Sequence, residues 1–431
     1  MMARFTPTNY KLLNVSNSRV FEDKGWTLAD PLAESPSLVR AIYSEKKFTP
    51  RKDLPGIYRY ASWLPIRRIL KNAAGPVTFQ SKGLAKELGL ERLYITFTGY
   101  SPEHGAEVTT CSFKATEAYS VCARWPSRPD KVLVVQSAGN TARAFAQVCS
   151  DNRIPLVICI PKDNIDALWF RKKLHNCVKV IATPEGSDYF DAITLGDKLC
   201  LGEHYRAEGG AKNIARRDGM GTTLLSAVEA IGEIPDAYFQ AVGSGTGAIA
   251  VWENNLRLIE DGSYGNKKMR IYASQNAPFT LMYDSWKAGT RALVPMTPEE
   301  SRLKCAEIVA KVLSNRKPPY SIAGGLYDAL VDTGGDMFKV TNEEQSYWKR
   351  KFAALEGIDI YSAAAVAVAS LAQAVKDGAV KPDEIIMLNV TGGGEEKAKS
   401  GGYYMAVPQL VLSPDLPEDE IIHQVDKLFN F

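Results

Sequence analysis

The sequence predicts an α/β fold: two domains, each with a mostly parallel sheet flanked by helices. Three observations predict it. Short β-branched runs such as "KVLVVQ", "LVICI" and "VKVIA" are separated by helix-like stretches, the pattern of βαβ units. Glycine-rich turns close the runs "KVLVVQ", "AYFQAV" and "EIIMLNV" at their carboxyl ends, where open α/β sheets bind ligands. The chain of 431 residues is too long for one simple core.

The elements follow in order. The first part, up to about residue 75, reads as irregular, with several Pro and Gly and an amphipathic piece near "RYASWLPIRRILKN". "KVLVVQ" is a strand, "SAGN" its turn and "TARAFAQVCSDN" the following helix. "LVICI", a helix-like "IDALWFRKKLH", "VKVIA" and a helix from Tyr189 continue the rhythm. A second set begins after "GTTLLSAVEAIGEIP" with the buried strand "AYFQAV", the turn "GSGTG" and the helix-like "AIAVWENNLRLI". "MRIYAS" is another strand. "MTPEESRLKCAEIVAKVL" predicts a helix with Thr297 as N-cap, Pro298 at the first helical position and Glu300 completing a capping box. Thr341 with Glu344 repeats that signature. "EIIMLNV" is a late strand closed by "TGGG", and no internal repeat of solenoid length is present.

Composition excludes several classes. A net charge of +3 with interspersed signs lacks the concentrated basic face of a nucleic-acid protein. Arg171-Lys172-Lys173 and Lys349-Arg350-Lys351 read as solvated helix faces. The start "MMARFTPTNY" has no apolar core of a secretory signal, and "YSAAAVAVASLAQAV" is too short and alanine-rich to span a bilayer. The seven cysteines are scattered without CxxC, and the four histidines without HxxxH. Neither a metal site nor a disulfide framework is indicated, which fits a reducing, cytoplasmic setting.

Four short segments carry candidate chemistry. Lys114 lies in "TTCSFKATEAY", close behind hydroxyl-bearing residues and ahead of a helix. "SAGN", Ser137 to Asn140, and "GSGTG", Gly243 to Gly247, each join a strand to a helix whose amides could hold an anion. "TGGG" begins at Thr391. "GSGTG" is neither a Walker A loop nor a GxGxxG fingerprint. Taken singly, these are a solvated lysine and three ordinary turns. Their order in one α/β chain points to a single anion-bearing cofactor.

In that order the segments resemble the pyridoxal-phosphate enzymes of the β-replacement type, the tryptophan synthase β-like fold type II, and within them the threonine synthase branch. "SFK" matches that branch's lysine motif, "SAGNTARAFA" its asparagine loop and "AVGSGTG" its phosphate cup. "GIYRYASWLPI" resembles its N-terminal Arg-Tyr segment, and "EEKAKSGG" follows the last glycine turn. The likeness runs from Gly56 to Gly402. Three departures stand out. "SFKATEA" replaces SFKDRG, "AEVTTC" replaces the preceding Asn-Pro-Thr-Gly segment, and "YKLLNVSNSRVFEDKGWTLADP" looks like a small cysteine-bearing module with its cysteines replaced. The first two surround the place of the substrate phosphate. This pattern is similar to the archaeal cysteate synthases, a threonine-synthase-derived group that makes L-cysteate from O-phospho-L-serine and sulfite on a route to coenzyme M.

The resemblance implies pyridoxal 5'-phosphate as cofactor, with Lys114 the catalytic amine that joins its aldehyde and later takes the substrate's Cα proton. Asn140 bonds the phenolic oxygen; Gly243, Ser244, Gly245, Thr246 and Gly247 cradle the phosphate; Thr391 meets the pyridine nitrogen. The loop of Ser137, Ala138, Gly139 and Thr141 grips the substrate carboxylate. Thr109, Thr110 and Ser112 are candidates for the leaving phosphate or incoming sulfite, while Arg143 and Arg216 read as surface residues. The implied domains are an N-terminal arm over 1–75, a larger cofactor-phosphate domain over 76–105 and 195–405, a smaller domain over 106–194 and a tail over 406–431. The expected partners are small molecules, with no nucleic acid, membrane or metal, in a homo-oligomer. The alternatives are a threonine synthase acting on O-phosphohomoserine, an O-phosphoserine sulfhydrylase and a non-catalytic nucleotide-binding α/β protein.

Overall fold

The computed structural model describes residues 5–127 and 129–431. Two sheets dominate. The larger has the strand order Asp336–Val340, Arg270–Asn276, Ala237–Ala241, Ile385–Val390, Arg92–Phe97, Val77–Gln80. All its pairings are parallel except the one made by the edge strand Val77–Gln80. The smaller has the order Tyr205–Ala207, Val132–Gln136, Leu156–Pro161, Val178–Thr183, Leu410–Val411, parallel throughout. Helices cover both faces, so central strands such as Ile385–Val390 and Leu156–Pro161 are buried at every residue. That explains why they read as continuous apolar runs rather than as alternating ones.

The helix Ile214–Ile231 lies between Lys114–Arg124 and Thr246–Asp261 and packs on both. Gly219 sets the closeness of one crossing: a Cβ there would stand 2.4 Å from the Thr116 carbonyl oxygen. The alanine-rich helix Ser362–Lys376 is core, packed on the larger sheet. Among the described residues no helix is long and apolar enough to cross a membrane.

Four local expectations change. "IDALWFRKKLH" is no helix: Lys162–Ala167 forms a 3-10 turn, and Trp169–Phe170 pairs as a short strand with Tyr404–Met405. The helix at Pro298 ends at Glu307, because Ile308 turns extended and is fully buried in the larger core. Its cap is one-sided: Thr297 accepts from the Glu300 amide, but the Glu300 carboxylate pairs with Lys304. At Asn342–Glu356 both halves of the capping box form. The N-terminal arm is more regular than its composition suggests, since Val20–Phe21, Tyr10–Asn14 and Val39–Tyr43 make an antiparallel sheet. The smaller sheet also draws on chain outside 106–194. Tyr205–Ala207 and Leu410–Val411 supply its edges, and the helix Glu418–Phe429 buries Ile421 and Val425 against Leu195 and Leu199.

Candidate active site

The carboxyl ends of the two sheets open on one cavity of about 730 Å³. A volume of that size accommodates a cofactor together with a small substrate. Lys114, Ser112, the loop Ser137–Thr141, Gly243–Gly247 and Thr391 all line it.

Lys114 opens the helix Lys114–Arg124, and its loop is clasped to the turn after the last strand of the larger sheet. The Phe113 amide donates to the Thr391 carbonyl at 2.9 Å, and the Gly393 amide to the Cys111 carbonyl at 3.1 Å. The Tyr361 amide donates to the Gly392 carbonyl at 3.1 Å. The lysine side chain is part-buried, 20 % exposed, and its amine lies 3.4 Å from Glu117 Oε2. Arg216 reaches the other Glu117 oxygen at 3.4 Å and donates to Glu208 from Nε at 2.9 Å. Burial holds the Lys114 amine below its ordinary range; the Arg216 charge adds to this, and Glu117 opposes it. A lysine shifted this way offers more free amine for nucleophilic or base chemistry.

Asn140 starts the helix Asn140–Asn152. Its side-chain oxygen accepts from Arg143 Nη2 at 3.1 Å. The Ser137 hydroxyl accepts from the amides of Gly139 and Ala142, so it braces the loop. The first amides of the helix have no partners within it, and Asn140 and Thr141 line the cavity. Opposite them, Gly243–Gly247 leads into the helix Thr246–Asp261, with Ser244 and Thr246 hydroxyls 2.8 Å apart. Gly245 has φ +79°, and a Cβ there would come within 3.0 Å of Leu326 Cδ2. Only glycine suits that position.

Two expected residues lie elsewhere. Thr109 and Thr110 line a separate cavity of about 620 Å³ behind the lysine loop. The chain reverses at Cys111, a non-glycine residue with φ +54°, and this turns the pair away. The Thr109 hydroxyl accepts from Gln147, and the Thr110 carbonyl accepts from Arg143. Ser112 stays at the site, its hydroxyl accepting from the Lys114 amide at 3.3 Å. Two arginines read as surface residues are enclosed: Arg143 is 2 % exposed, and the Arg216 side chain is 13 % exposed. Helical spacing carried a signal for the missed groups. Glu117 follows Lys114 by three positions and Arg143 follows Asn140 by three, which places each pair on one helix face. Tyr361, which also lines the cavity, has no such local signal.

Residues 73–392 match the model of the family described as pyridoxal-phosphate dependent enzyme. The chain belongs to that family. Within these pyridoxal-phosphate dependent enzymes it stands with the cysteate synthases. It is 48% identical to the cysteate synthase of Methanosarcina mazei over 84% of this chain and 87% of that one. It is 46% identical to that of Methanocella paludicola over 89% and 90%, and 39% identical to that of Methanospirillum hungatei over 98% and 99%. The fold is shared with a pyridoxal 5'-phosphate-dependent aspartate racemase (TM-score 0.55, 18% identity, 74% of this chain and 90% of that one). It is shared as well with maize serine racemase (TM-score 0.54, 16% identity, 74% and 88%). The protein is thus a fold type II enzyme with pyridoxal 5'-phosphate as its cofactor.

The cavity of this pyridoxal-phosphate enzyme fits that group. A part-buried amine with a depressed pKa, Lys114, suits an aldehyde. A glycine cup at the start of a sixteen-residue helix suits a phosphate. The carboxamide of Asn140 and the hydroxyl of Thr391 stand at the same cavity for the ring's polar atoms.

Proposed function

We propose that the enzyme converts O-phospho-L-serine and sulfite to L-cysteate and phosphate. The observation that carries the reading is the likeness to cysteate synthases along almost the whole chain. The cavity is consistent with two anionic substrates, since Arg216, Lys212 and Lys317 line it together with the helix-start amides.

Bound pyridoxal phosphate supplies an aldehyde for the lysine to join and a conjugated ring that takes up the electron pair freed at the substrate's Cα. The chain's own residues do the rest. Lys114 would hold the cofactor, and its amine, when free, would accept the Cα proton. Glu117, 3.4 Å away, steadies the ammonium so formed. The amides of the Ser137–Thr141 loop hold the substrate carboxylate, and Gly243–Gly247 anchor the cofactor phosphate. Asn140 donates to the phenolic oxygen. Thr391 offers the ring nitrogen a neutral hydroxyl, which does not favour a positive ring as a carboxylate would. Ser112, which lines the cavity, is the hydroxyl that would meet the leaving phosphate. The Cβ–O bond breaks with its electron pair going to phosphate, and the sulfite sulfur forms the new Cβ–S bond. Lys114 returns the proton to Cα.

Substrate exchange tests the reading. Phosphate release from O-phosphoserine that depends on sulfite is the expected result. Faster turnover of O-phosphohomoserine with water would make the enzyme a threonine synthase, and preference for sulfide would make it a sulfhydrylase. We also infer a reducing, cytoplasmic setting, supported by seven free cysteines. A homo-oligomer is supported by the exposed apolar run of Tyr403, Tyr404, Met405, Val407 and Val411.

A further inference from the structure

Arg143 is a buried cation with no carboxylate in direct contact. Its residue is 2 % exposed, yet it forms no ion pair among the described residues. All its partners are neutral. It donates to the Thr110 carbonyl from Nε at 3.1 Å and from Nη2 at 3.0 Å, and to the Ala167 carbonyl at 2.9 Å. It donates to the Tyr361 hydroxyl at 2.9 Å and to Asn140 Oδ1 at 3.1 Å. The Trp169 ring lies under the guanidinium, 4.8 Å from centroid to Cζ. Buried charges are normally paired, because desolvation is costly. The guanidinium sits behind Asn140 and Tyr361, which line the cavity, so its positive charge reaches the cavity through them.

The bond to Asn140 has a definite polarity. A guanidinium can only donate, so the carboxamide must turn its oxygen to Arg143. The NH₂ end is then the one left to face the cavity, and it has no partner among the described residues. A carboxamide whose oxygen is bound by a cation is polarised into a stronger donor at its nitrogen.

We infer that Arg143 is a positioning residue that locks the Asn140 amide with its NH₂ toward the cofactor and lends it positive charge, so that the cofactor's phenolic oxygen is held as the anion. The inference rests on the reading of Asn140 as the partner of that oxygen. Arg143 also ties three other segments to Asn140: the lysine loop through Thr110, the turn at Ala167, and Tyr361 at the start of Ser362–Lys376. Glu395 feels the Arg143 charge without touching it, and the bound cofactor would bring a second negative charge to the cluster. The titratable and charged groups around this cluster are Cys111, Tyr361, Asp359, Glu395 and Lys399. Lys114 and Arg216 line the cavity, with Glu117 between them.

The test uses the holoenzyme, with the visible absorption of the bound cofactor followed against pH and cofactor affinity measured by titration of the apoenzyme. Loss of a nearby cation makes an anionic oxygen harder to form. For Arg143→Met and Arg143→Gln the titration midpoint is expected to rise by about one pH unit, with cofactor affinity falling about tenfold. Asn140→Ala should shift the midpoint in the same direction, and the double variant Asn140→Ala/Arg143→Gln should add little to Asn140→Ala alone. The neutral, hydrogen-bonding Gln variant decides the question if the Met variant fails to fold. A normal midpoint in Arg143→Gln beside a shifted one in Asn140→Ala would overturn the role of Arg143 alone. Normal midpoints in both would overturn the reading of Asn140, and the inference with it.

Discussion

Glu117 Oε2 lies 3.4 Å from Lys114 Nζ, one helical turn along the same helix, and the glutamate side chain is wholly enclosed. The carboxylate opposes the depression of the lysine pKa that burial and Arg216 produce. Glu117→Gln therefore lowers that pKa further. The acid limb of the kcat profile, which follows protonation of the amine once substrate has released it, should move to lower pH. The same change leaves Arg216 with one carboxylate instead of two and should destabilise the fold by about 1–3 kcal/mol, read from urea unfolding.

Lys114→Ala removes the amine that joins the cofactor. Turnover should fall by about 10³-fold or more, with the far-UV circular dichroism unchanged. Borohydride reduction of the unaltered holoenzyme followed by peptide mapping should place the cofactor label on Lys114. A label on another lysine would reassign the nucleophile.

Gly245→Ala forces a side chain into a positive-φ position beside Leu326. The strain should cost about 1–3 kcal/mol and distort the phosphate cup. Weaker cofactor retention on dialysis, without loss of the lysine linkage in saturating cofactor, is the expected signature.

On the proposed role of Thr391 beside the ring nitrogen, Thr391→Asp puts a carboxylate in place of a neutral hydroxyl. A protonated ring then becomes favourable, and keto-acid formation should rise relative to cysteate formation in product analysis. The backbone bond from Phe113 to the Thr391 carbonyl does not involve the side chain, so the lysine loop should keep its place.

Thr341→Ala removes a complete capping box from the helix Asn342–Glu356. A loss of about 1 kcal/mol in unfolding free energy, with unchanged kcat, is expected.

The segments legible in the sequence were those whose chemistry is local. Lys114, Asn140 and Gly243–Gly247 each sit beside their own turn and helix start, so short motifs carry them. What stayed hidden depends on distant chain. Tyr361 meets Arg143 across 218 positions, and nothing near either residue announces the pairing. The run "IDALWFRKKLH" has helical periodicity, but its Trp169 and Phe170 are claimed by a strand more than two hundred residues later. Thr109 and Thr110 were placed by nearness to Lys114, and a single backbone reversal at Cys111 sent them to the other side.

The clasp of Phe113 on Thr391, reinforced by Gly393 on Cys111, makes one stiff unit of two loops that come from opposite ends of the chain. A rocking of the smaller sheet against the larger would carry the anchoring amine and the ring-nitrogen partner together. Arg143 fastens Asn140 to the same unit through Thr110 and Tyr361, so any shift that admits a substrate carries the amine, the carboxamide and the hydroxyl as one body.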